Sequence, residues 1–132
     1  KSKLYQGIKE TLAYLSGKYD LFIATSKPTP YTEVIAKELG IHQYFRGIAG
    51  SNLDNSRGKK EEVIQYILDE FSILDKSQSL MIGDKAQDLI GARKCEIDGA
   101  GVSYGYGTME ELSSQEPMII FDSPEEIIEY LE

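Results

Sequence analysis

Two spacings of apolar residues alternate along this chain. Leu4, Ile8, Leu12 and Leu15 recur at the interval of one helix face and predict a helix over 4–17. The run at 20–25 is short and apolar almost throughout, the pattern of a buried strand. Pro28 and Pro30 break it, and a second helix is expected at about 31–39, closed by Gly40. A weaker strand is expected at 47–51, followed by a polar loop at 51–58. Val63, Ile64, Ile67, Leu68 and Phe71 make the clearest apolar face, on a helix over 59–71. A second buried strand follows at 79–84, then a helix at about 86–95, a strand at 98–103 and a loop at 105–107. A short helix around 109–112 and a strand at 118–121 come next. The last helix covers 124–131, with Ser123 as N-cap and Pro124 in the first helical position.

Strands that are apolar throughout and alternate with helices specify an α/β fold, a parallel sheet with helices on both faces. No internal repeat, low-complexity tract or linker interrupts it. In such sheets ligands sit at the carboxyl ends of the strands, so the residues just after each apolar run carry the most information.

Composition narrows the partners. The chain has 132 residues, one domain's worth, with a net charge of −8. A protein this acidic is a poor match for a nucleic-acid backbone, and an anionic substrate has to be held by a few local cations. Cys95 is the single cysteine, so no internal disulfide forms, and a reducing cytoplasm is the default compartment. No apolar run approaches the length of a membrane span, and no signal peptide is visible. The first residue is Lys1, not Met, which points to something further upstream.

Three groups of polar residues stand at strand ends. Thr25, Ser26 and Lys27 offer two hydroxyls and an ammonium beside a turn, enough to hold a phosphate, although a Thr or Ser before a proline turn also serves as a helix cap. Asp84 ends its strand and Asp88 lies one helical turn on, so both carboxylates can face one point, as a hard-oxygen Mg²⁺ site requires. An N-cap Asp followed by a solvated Asp gives the same letters. Lys59 and Lys60 open a helix at its positive end, where a cation is mildly unfavourable, and this suggests an anionic partner. His42, in a connecting segment, reads as a surface or packing residue, and Cys95 as a small core residue. Tyr104 and Tyr106 flank Gly105 at a further strand end and could line a pocket.

The order of these groups resembles the haloacid dehalogenase (HAD) superfamily of hydrolases, in its phosphoglycolate phosphatase-like branch. The resemblance rests on Ala24-Thr-Ser-Lys-Pro-Thr-Pro30, on Leu39-Gly-Ile41 with Tyr44-Phe45, on Leu80-Met-Ile-Gly-Asp-Lys-Ala-Gln-Asp88, on Gly91-Ala92, and on Gly101-Val-Ser-Tyr-Gly-Tyr-Gly107. It implies a Rossmann-like core and roles for single residues. Thr25 matches the phosphoryl-binding hydroxyl, with Ser26 in support. Lys60 matches the lysine that neutralises nucleophile and phosphate, with Lys59 as the alternative. Asp84 and Asp88 match the Mg²⁺ ligands.

Two departures stand out. The lysine motif reads Gly58-Lys-Lys-Glu61 where close relatives have Lys-Pro-x-Pro, and no Asp-x-Asp occurs anywhere in the chain. In the family that motif ends the first strand, which lies between the strands ending in Thr25 and Asp84 and carries the nucleophile. Asp122 alone imitates it, in the wrong place along the chain. The expectation is therefore the C-terminal part of a HAD-like core, 1–132, with the first strand and the cap domain upstream or on a partner strand. The full protein would be a Mg²⁺-dependent phosphatase of small phosphorylated metabolites, working through an aspartyl-phosphate, and these residues alone would be inactive. The alternative is a catalytically inactive binding or partner module.

Overall fold

The alternation of spacings becomes an alternation of elements. A computed structural model describes residues 7–52, 54 and 56–131. In order, the elements are α1 (Ile8–Ser16), β1 (Phe22–Pro28), α2 (Thr29–Glu38), β2 (Gly47–Ser51), α3 (Lys60–Glu70), β3 (Leu80–Gly83), α4 (Ala86–Lys94), β4 (Asp98–Val102), α5 (Met109–Ser114), β5 (Ile119–Phe121) and α6 (Pro124–Leu131). Leu4, placed in the first helix by its spacing, lies outside the described residues. Gly40 closes α2 as expected: its φ is +74°, and its N–H donates to the Lys37 carbonyl.

All strand pairs are parallel. β2 pairs with β1, and β4 lies between β3 and β5. Among the described residues no backbone ladder joins β1 to β3, and helices hold the two half-sheets together. Ala24 of β1 and Met81 of β3 pack on one cluster built by Ile64, Leu68 and Cys95. Leu80 and Ile82 point the other way, onto Leu15, Val102, Phe121 and Ile127. This period of two sends one side of β3 toward α3 and α4 and the other toward α1 and α6.

The interrupted ladder corrects one expectation. Residues 21–25 and 80–82 read as fully buried strand, yet they are only half-buried, whereas Ala49, Gly50 and Ser51 of β2 and Ala100, Gly101 and Val102 of β4 are buried. The apolar strands that border the break lack a neighbour on one side, and their exposure follows from that.

A second difference concerns β1. It runs on through Pro28 instead of stopping at Thr25. Ala24 pairs with Ala49, but the next pair is Pro28 with Ser51. Two extra residues are accommodated on β1, so 25–27 bulge away from the ladder. The bulge leaves their backbone groups outside the parallel pairing, at the carboxyl end of the strand.

Candidate active site

Lys60 is the centre of this end of the sheet. It opens α3, and its Nζ lies 2.6 Å from Asp88 Oδ1 and donates to the Ala24 carbonyl at 3.2 Å. Both charged side chains are nearly buried, at 11% and 8% exposure. The unfavourable placement of a cation at a helix N-terminus is offset by an anion and a carbonyl from two other elements. Lys59 is one residue earlier and exposed, and its backbone N–H donates to Glu62 Oε1 at 3.2 Å. Of the two lysines left open by the sequence, only Lys60 reaches between the strand ends.

Asp88 is held from both sides. Its Oδ2 accepts the backbone N–H groups of Asp84 (3.1 Å) and Lys85 (3.3 Å), so the carboxylate folds back over the start of α4. Gly83 makes room for this, since a Cβ there would collide with the Asp88 side chain. Asp84 is less buried. Its Oδ2 accepts the Tyr106 N–H at 2.8 Å, and the loop fits against it only because position 105 is glycine, where any Cβ would run into the Asp84 carboxylate.

The hydroxyl group of residues lies next door. Thr25 follows the carbonyl that Lys60 grips, and its Oγ1 accepts the Lys27 N–H at 3.2 Å. Ser26 and Lys27 are exposed on the bulge. The structure thus gathers Lys60, Asp84 and Asp88 with the Ala24–Thr25 strand end and sets Ser26 at the rim. Other residues singled out by the sequence lie elsewhere. His42 is half-buried in a 3-10 turn. The Cys95 thiol is buried and donates to the Glu61 carbonyl at 3.2 Å, and burial pushes its pKa up. Asp122 accepts the Ser103 hydroxyl at 2.6 Å beyond β5. Tyr104 packs against the α1/α6 cluster, and Tyr106 is 87% exposed.

Two contributors escaped the sequence reading. Thr29 accepts the Gly50 N–H at 2.9 Å and so ties β2 to the start of α2. Glu111 accepts the Ala86 N–H at 2.8 Å and the Thr108 N–H at 3.1 Å, and these bonds hold its carboxyl below the usual range. Thr108 and Glu111 have capping-box spacing, a signal legible in the sequence. The reach to Ala86 joins distant segments and leaves no local signature.

The carboxylates can be tested as a cation site. Lys60 pairs with Asp88, and no described cation lies within ion-pair distance of Asp84, whose carboxylate is left for a divalent cation. Asp84 Oδ1 takes no hydrogen bond from a described residue. Among the described residues no group of three or more His, Cys, Asp or Glu converges; Mg²⁺ is commonly held by only one or two carboxylates, with water and phosphate completing its shell.

Comparison with known proteins gives a consistent picture. The haloacid dehalogenase-like hydrolase family model matches residues 1–102. A 5'-nucleotidase of Pseudomonas aeruginosa is 38% identical over 118 residues, which are 89% of this chain and 53% of that protein. A phosphoglycolate phosphatase of Vibrio parahaemolyticus is 27% identical over 129 residues, 97% of this chain and 56% of that protein. A crystal structure from Clostridium difficile, of a protein named a phosphatase by inference, superposes with a TM-score of 0.94 at 46% identity, covering 98% of this chain and 61% of that one. The chain spans about half the length of the curated relatives it matches.

Proposed function

Because the chain belongs to the haloacid dehalogenase-like hydrolase family, we propose that residues 1–132 are the C-terminal part of the core of a Mg²⁺-dependent phosphate monoester hydrolase. The observation that carries this reading is the buried Lys60 ammonium, held between the Ala24 carbonyl and Asp88 at the carboxyl ends of two parallel strands. A fixed cation there is positioned to offset charge on a transferring phosphoryl group.

In the proposed reaction a carboxylate from outside these residues attacks phosphorus. The ester P–O bond breaks, and the leaving oxygen takes a proton from water to depart as the alcohol. The attack of a second water then cleaves the acyl phosphate to the carboxylate and inorganic phosphate and returns that proton to solvent. Thr25, with Ser26 in support, donates hydroxyl hydrogen bonds to phosphoryl oxygens. Lys60 neutralises the nucleophile and the phosphate. Asp84 would hold Mg²⁺, with Asp88 as second ligand or, through its hold on Lys60 and the start of α4, as the group that orients the site. Bound Mg²⁺ would supply Lewis-acid stabilisation of phosphoryl charge.

The names of the relatives support a small phosphorylated metabolite as substrate, phosphoglycolate or a nucleoside monophosphate. We place the protein in the cytoplasm. Its one buried thiol supports that, and no described helix is long and apolar enough to cross a membrane. The break between β1 and β3 favours a second reading, a catalytically inactive module whose sheet is completed by a partner strand.

The test is Mg²⁺-dependent hydrolysis of an aryl phosphate by the full-length protein and by residues 1–132 alone. Activity is expected only in the former, with Asp84→Asn lowering it about a hundredfold or more, the scale of losing a stabiliser of transition-state charge. Full activity of Asp84→Asn defeats the assignment, and an inactive full-length protein favours the module.

A further inference from the structure

Glu111 makes more bonds than its local job requires. As the fourth residue of a capping box it needs one oxygen for the Thr108 N–H, while Thr108 Oγ1 accepts the Glu111 N–H at 3.0 Å. Its other oxygen crosses to α4 and accepts the Ala86 N–H, one of the donors that a helix N-terminus leaves without an intrahelical partner. A carboxylate is the side chain that accepts from both at once, and its negative charge suits two helix N-termini. Leu112, fully buried, anchors α5 behind it.

These bonds close a ring. From Asp84 the chain runs two residues to Ala86, and Glu111 joins Ala86 to Thr108. Two residues back from Thr108 is Tyr106, whose N–H returns to Asp84 Oδ2 at 2.8 Å. Glu111 is the only side chain in the ring apart from Asp84 itself. We propose that Glu111 is a positioning residue: by tying the start of α4 to the β4–α5 loop it fixes the Tyr106 N–H against Asp84 and so sets where the Asp84 carboxylate points. The metal consequence rests on the reading of Asp84 given above, whereas the ring itself does not.

The test compares Glu111→Ala with Thr108→Ala in the full-length protein. Thr108→Ala removes the hydroxyl cap of α5 and keeps the bond to Ala86. Hydrogen exchange of the Tyr106 amide reads the ring directly, and calorimetric titration with Mg²⁺ reads its effect on Asp84. Glu111→Ala is expected to speed Tyr106 exchange and weaken Mg²⁺ binding, each about tenfold, the scale of losing a partner behind a metal ligand. Thr108→Ala is expected to leave both within about twofold, since the inter-element bond persists. Equal effects of the two variants, or unchanged Tyr106 exchange in Glu111→Ala, overturn the proposal and leave Glu111 a cap of α5. The Leu112 amide, bonded to the Thr108 carbonyl at 3.1 Å, reports whether α5 stays folded. If it opens in Glu111→Ala, Glu111→Gln takes its place: the amide keeps one acceptor oxygen but sets an NH₂ against the other N–H, and the same Tyr106 readout decides. An Asp84→Asn protein that binds Mg²⁺ as tightly as the unaltered one defeats the metal reading alone, and Tyr106 exchange still decides the role of Glu111.

Discussion

Lys60 Nζ and Asp88 Oδ1 meet at 2.6 Å with both side chains nearly out of water, and each is the charge partner of the other. Removing one partner strands a charge in a poorly solvated place. Lys60→Met and Asp88→Asn are each expected to destabilise the full-length protein by about 3–5 kcal/mol. The double variant is expected to lose clearly less than the sum, because no unpaired charge remains. Urea denaturation of the four proteins measures this, and strict additivity would show that the two groups do not depend on each other.

Thr25 tests the phosphate-binding reading apart from the metal. Thr25→Val keeps the β-branched shape and removes the hydroxyl. Inhibition of the full-length enzyme by inorganic phosphate is expected to weaken about tenfold, the worth of one hydrogen bond to a charged group. Unchanged inhibition would remove Thr25 from the site.

The sequence carried the elements better than the contacts between them. The spacing of Val63, Ile64, Ile67 and Leu68 located α3, and Gly40 ended α2, because these signals are local. The bulge at 25–27 was hidden, since it exists only in the pairing of Ala24 and Pro28 with β2. The resemblance favours Lys60 and keeps Lys59 as the alternative, because adjacent lysines differ only in which way they turn. Which one turns toward the strand ends depends on the helix rotation, which the buried apolar face of α3 fixes. The half-exposure of β1 and β3 is not visible in their apolar runs; it follows from the absent Asp-x-Asp strand, which the resemblance places between them.

Cys95 provides a probe of folding. Burial holds its thiol above the usual pKa, and the sulfur donates to the Glu61 carbonyl. The thiolate is the reactive form, so alkylation by iodoacetamide at neutral pH is expected to be slow in the folded protein and fast in urea. Fast alkylation without denaturant would show that α3 and α4 separate readily.

Glu111 gives a pH signature. The N–H groups of Ala86 and Thr108 lower its pKa in the folded state from the ordinary value of 4.5. A carboxyl with a depressed folded pKa contributes stability that is present above its unfolded pKa and is lost as pH falls through the folded one. The stability difference between the unaltered protein and Glu111→Gln should therefore be full at neutral pH and shrink as pH falls below 4.5. A difference that stays constant down to pH 2 would count against the charged form.

The break between β1 and β3 also acts as a filter on direction. Both strands run toward Lys60, so an extended segment that pairs in parallel with both edges has one polarity only, with its carboxyl end emerging beside Thr25 and Asp84. Its side chains would alternate between the α1/α6 layer and the α3/α4 layer, which admits an unbroken apolar run and rejects the alternating polar pattern of a surface strand. If the upstream strand of the proposed function fills this break, the two edges select it by orientation and by sequence together, and the residue that ends its run comes to lie beside the ammonium of Lys60.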